Sequence, residues 1–137
     1  FDEIGRRVMD ETLRARLPPY PRVRDSIEVL QSLPEFQAAK TRIVQRMGKA
    51  DNPLGKWAVH HGAGTNGGLP VARAAFDHGI DTVFYIHIDA GALRRLWEVY
   101  GREGSKNLVV TGHLASDSIG INLLVRELRA RSLCVDT

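Results

Sequence analysis

The chain has 137 residues, 43% of them apolar and 26% charged, with a net charge of +3. That length suits one domain with a real core, and that charge content excludes a disordered chain. Scattered arginines, few aromatics and the lack of any apolar run near the ~18 residues of a bilayer span leave no dedicated nucleic-acid surface and no membrane segment.

Residues 1–47 read as helices. "FDEIGRRVMDETLRARL" spaces Ile4, Val8, Leu13 and Leu17 near the helical period, and "PPYP" ends the pattern because proline lacks an amide donor. "RVRDSIEVLQSL" resumes it with Val23, Ile27 and Leu30 on one face. Pro34 is placed to open a third helix over "PEFQAAKTRIVQRM", and residues 48–55 form a loop.

From Lys56 the rhythm changes. "KWAVHH" is a β run, followed by the glycine-rich "GAGTNGG" and the helical "LPVARAAFDHG". "DTVFYIHI" and "NLVVTGH" are further strands, "DAGALRRLWEVYGREG" and "DSIGINLLVRELRARS" further helices, and "LCVDT" a last strand. Such alternation implies βαβ units. The expected fold is α/β: a parallel βαβαβαβ sheet covered by helices on both faces, preceded by an N-terminal helical segment. The division is a helical connector over 1–50 and an α/β half-domain over 56–137. Ile121, Leu124, Val125 and Leu128 read as the core face of the last helix. Cys134, the single cysteine, reads as a packing residue in a reducing, cytoplasmic setting. The chain opens on Phe1 inside a helical pattern and stops just after a strand-like run, so it reads as part of a longer protein.

Ligands of open α/β sheets bind beyond the carboxyl ends of the strands. Four of the five histidines fall there: His60 and His61 after the first of these strands, His87 after the second, His113 after the third. His78 sits instead at a helix C-terminus, a structural position. Imidazole with carboxylate suits zinc, iron or manganese. His113 and Asp117 are the best-placed pair, because one helical turn brings positions i and i+4 to the same ion. The plainer reading makes Asp117 or Ser116 the cap of the last helix, and Asp89 the cap of the one before it.

The glycine run fits G-x-G-x-x-G at Gly62, Gly64 and Gly67, with Asp89 at a spacing near that of a ribose-binding acid. Pro70 weighs against a dinucleotide, since it is tolerated only if the helix starts near Leu69, away from the first glycines. A phosphate or other anion held at Gly62, Gly64, Thr65 and Gly67 is the better form of that reading.

"HHGAGTNGG", "DTVFYIHI" and above all "TGHLASDSIGINLLVREL" resemble the C-terminal half of the Nif-three-like family, and "SIEVLQSLPEF" resembles the helical connector before that half. Members are known as dinuclear metal centre hexameric proteins, and some carry a type 2 GTP cyclohydrolase I label. The resemblance implies two α/β halves with divalent metal ions in the cleft between them, assembled as a homohexamer. It implies that His113 and Asp117 supply two metal ligands, Asp117 standing where glutamate is usual. The remaining ligands would come from an upstream half, and His87 is placed to face the cleft.

Three functions follow as expectations. The first is a divalent-metal-binding domain whose catalysis, where present, is hydrolytic. The second is a non-catalytic oligomer-assembly or protein-interaction module. The third is a nucleotide or phosphate binder through the glycine loop.

Overall fold

The computed structural model describes residues 2–60 and 68–133. Three helices come first: α1 (Asp2–Arg16), α2 (Val23–Gln31) and α3 (Pro34–Ala39). Strand β1 (Val44–Met47) follows, then β2 (Trp57–His60), α4 (Leu69–Asp77), β3 (Thr82–Tyr85), α5 (Ala90–Tyr100), β4 (Asn107–Val110) and α6 (His113–Ala130). The strands form one sheet in the order β1-β4-β3-β2. Strands β2, β3 and β4 run parallel, with Thr82 opposite Asn107 and Tyr85 opposite Val110.

The sheet is therefore mixed, not parallel throughout as expected. Its fourth strand is β1, which pairs antiparallel with β4. Of the strand expected over 133–137, only Leu133 lies among the described residues, and it is not in a strand. The helix expected from Pro34 to Met47 stops at Ala39, where Lys40 takes a left-handed conformation (φ 52°, ψ 27°). Gln31 then holds the chain extended: its side-chain amide donates to the Thr41 carbonyl (2.7 Å) and its carbonyl accepts from the Ile43 amide (3.0 Å). Phe36, Ile43 and Met47, which lie seven and four residues apart as on one helical face, are all buried. A β-bulge between Gln45 and Met47 changes the side-chain parity, so Ile43 and Met47 enter different core clusters although they are four residues apart.

Alternating strand residues supply those two clusters. Val59, Phe84 and Val109 pack with Met9 and Leu13 of α1, Leu30 of α2, Phe36 of α3 and Ile119 of α6. Val83, Tyr85 and Leu108 pack with Phe76 of α4 and with Leu93 and Leu96 of α5. Each large side chain so buried contributes about 1.5–3 kcal/mol.

Helix α6 departs from expectation in a second way. Its buried residues are Ala115, Ser116, Ile119 and Gly120, all in its first half, where α1 and α3 pack against it. Ile121 is 41% exposed and Leu124 47%, with Val125 and Leu128 half-buried, so among the described residues the face read as core is not covered. An apolar stripe shows that a face is to be covered; it does not name what covers it. No helix among the described residues is long and apolar enough to cross a membrane.

Candidate metal centre

Parallel register builds the candidate site. Beyond the last paired residues of β3 and β4, the Thr111 amide donates to the Tyr85 carbonyl (2.8 Å) and the Gly112 amide to that of Ile86 (2.9 Å). The ladder thus continues to the sheet's carboxyl rim, and it leaves His87 and His113 side by side. Their rings stack with centroids 4.6 Å apart and planes 20° from parallel.

The turn into α6 is fixed on two sides. Thr111 and Ser116 share a buried hydroxyl–hydroxyl hydrogen bond of 2.8 Å, tying the first turn of the helix to the strand end. Gly112 is the N-cap residue, at φ 91° and ψ 149°, a backbone region open to glycine alone. Neither Ser116 nor Asp117 caps α6, because the helix starts at His113, earlier than expected. His113 and Asp117 are thus a true i, i+4 pair, with Nδ1 and Oδ2 3.2 Å apart. An ionised carboxylate only accepts, so Nδ1 is the donor in this contact, and in the neutral imidazole that leaves the Nε2 lone pair for a ligand.

Asp117 also has a buried Oδ1 with no hydrogen-bond partner among the described residues. A buried carboxylate oxygen left bare is costly and suits a cation. The positive end of α6 opposes a cation at this spot, so the charge of Asp117 is what would make one tolerable. Among the described residues no three His, Cys, Asp or Glu side chains converge to hold a metal ion. The donor set among the described residues is two side chains with a third ring stacked beside them, short of the three or four protein ligands zinc takes.

The other residues singled out take different places. His60 ends β2, and its ring meets Tyr85 edge-on at 5.8 Å, apart from the His87–His113 stack. Burial, and secondarily the nearby Arg6 charge, holds its pKa below the ordinary 6.5, while burial pushes Tyr85 up to about 12. Asp89 takes the plain role: its Oδ1 accepts from the Ala92 amide (2.9 Å) at the start of α5. His78 is the C-cap of α4, its Nδ1 2.7 Å from the Ala74 carbonyl. Helix α4 does begin at Leu69, with Pro70 harmless in its first turn. His61, Gly62, Gly64, Thr65 and Gly67 lie outside the described residues, as does Cys134. The ring stack and the Thr111–Ser116 brace went unseen in the sequence. Neither has a local signature: His87 lies two residues past the end of β3 and His113 three past the end of β4.

Because His60 binds a proton less readily folded than unfolded, protonation favours unfolding. Its share of stability is complete above pH 6.5, the ordinary value, and is lost as pH falls from there toward the lower folded value. Urea melts between pH 7.5 and 5 are expected to show His60→Gln losing less stability on acidification than the unaltered chain. Parallel curves would contradict the assignment.

A solved structure of a NIF3 superfamily protein from Sphaerobacter thermophilus matches this chain with 52% identity and a TM-score of 0.81, over 96% of this chain. This chain belongs to the NIF3 superfamily. It covers 48% of that protein's chain, so it spans about half its relative's length. No protein-family model and no curated protein matches it. His113 and Asp117 are thus this NIF3 chain's own share of the rim, held by a turn that glycine alone can make.

Proposed function

We propose that this chain supplies His113 and Asp117 to a divalent-metal site of a NIF3-superfamily protein, and that the site serves hydrolysis. The observation that carries the reading is the buried, bare Oδ1 of Asp117 beside an imidazole oriented by the same carboxylate. Zinc, iron and manganese all fit an imidazole–carboxylate pair. A bound divalent ion would polarise a substrate and lower the pKa of a bound water. His113 would hold the ion through Nε2, Asp117 would offset its charge, and His87 would fix the imidazole plane by stacking. The remaining ligands would come from outside this chain.

Titration calorimetry with zinc and manganese in metal-free buffer tests the reading. The expected result is one ion per chain at micromolar or weaker affinity, since two ligands make an incomplete set. Absence of binding, or binding indifferent to loss of His113, would sink it.

A homo-oligomer is the second reading, a hexamer by resemblance, and the outer half of α6 favours it. Ile121, Leu124 and Leu133 are 41%, 47% and 53% exposed over that half and its end. Leu124→Asp is expected to shift light-scattering mass toward the monomer without lowering Tm, because the side chain gives up little intrachain burial. An unchanged mass would remove α6 from the contact.

A further inference from the structure

A groove lies beside the turn that leads into α6. Helices α2 and α3 and the lead-in to β1 enclose an open groove of about 540 Å³, within the range of small-molecule sites. Its accessible apolar surface is Ile27, backed by the buried Phe36 and Ile43. Its neutral polar groups are already engaged. The Gln31 amide clamps Thr41 and Ile43, and the Gln37 amide donates to the Gln31 carbonyl (2.7 Å). Two cations remain on its wall, Lys40 and Arg42. No carboxylate lines the groove, and neither cation has a side-chain ion pair or hydrogen bond among the described residues.

Lys40 adds an independent observation. It sits at φ 52°, the left-handed position after a helix where glycine is strongly preferred. A lysine there stores backbone strain, and strain of this kind gathers at ligand sites. Helix α3 has only six residues, so the pull of its dipole on a lysine at its end is small.

We propose that this groove binds a small organic phosphate, with Lys40 and Arg42 on the phosphate and Ile27 against the organic part. A phosphomonoester carries nearly two negative charges near neutral pH, which two cations lining one groove match better than they match the single charge of a carboxylate ligand. The site is independent of the metal reading, although Thr41 forms part of the groove and also packs against Gly112.

Titration calorimetry of the full chain with phenyl phosphate, inorganic phosphate and benzoate, in EDTA and ~0.1 M salt, tests it. Phenyl phosphate is expected to bind one to one, with inorganic phosphate and benzoate each weaker by about tenfold or more, the scale of one charge-assisted contact. Lys40→Gly should raise Tm by relieving the strained φ and still weaken phenyl phosphate about tenfold. Arg42→Gln should weaken it similarly at unchanged Tm, and His113→Ala should leave it alone. No heat from phenyl phosphate, benzoate binding as tightly, or undiminished affinity in both Lys40→Gly and Arg42→Gln would overturn the proposal. Loss in His113→Ala alone would transfer the phosphate to the metal site.

Discussion

Gly112→Ala is expected to cost about 3 kcal/mol of folding stability. Two terms add. At φ 91° and ψ 149° an L-residue is strained by about 1–3 kcal/mol. A Cβ at this position would also stand 2.8 Å from the Thr41 Cγ2 methyl. Thr41 has little room to retreat, because its carbonyl accepts from the Gln31 side chain and Ile43 is held by the same amide. Urea unfolding measures the sum, and Thr41→Ser separates it. Removing the methyl should recover the steric part in the double variant and leave the backbone part. A loss under ~0.5 kcal/mol would mean that the turn does not have this geometry. The result bears on function because Gly112 aims the residue after it: a turn rebuilt around alanine would carry His113 out of line with Asp117 and His87.

That glycine is also a fair measure of what could be read in advance. "TGHLASDS" carried the family resemblance, and the structure supplies a physical reason for its glycine. The interior of the sheet was equally legible. "VFYI" and "LVV" are uninterrupted apolar runs, as a buried parallel strand requires, and Pro70 located the start of α4 through its missing amide. Strand β1 was not legible. Phe36, Ile43 and Met47 repeat at helical spacing, and only the left-handed turn at Lys40, the Gln31 clamp and a bulge make the same residues a strand. All three depend on tertiary partners. Helix α6 failed for the opposite reason: Ile121 and Leu124 have correct helical periodicity, but no element among the described residues covers them. The His87–His113 stack depends on the register of β3 against β4, which no local pattern reports.

His113→Ala is expected to lower divalent-metal affinity at least ~100-fold while changing metal-free stability by no more than ~0.5 kcal/mol. The contrast separates the metal reading from a purely structural one. As a structural contact, the His113–Asp117 pair is an i, i+4 interaction with the histidine side chain 47% exposed, and such pairs contribute little. As a metal ligand, the same imidazole is half of this chain's donor set. Asp117→Asn is expected to match the loss, because it keeps the shape and removes the only charge that offsets both the ion and the positive end of α6. It should also leave metal-free stability unchanged or improved, since a buried bare oxygen becomes part of a neutral amide. Asp117→Glu should retain affinity within about tenfold, its longer arm reaching the same ion from the next helical turn. His87→Ala should cost about tenfold, the scale of a group that orients a ligand without touching the ion. Zinc competition against a chromogenic chelator ranks the four variants. If Asp117→Asn and His87→Ala both bind as the unaltered chain does, while His113→Ala loses affinity, the ion is held by an isolated surface imidazole, and the carboxylate and the stacked ring play no part in holding it.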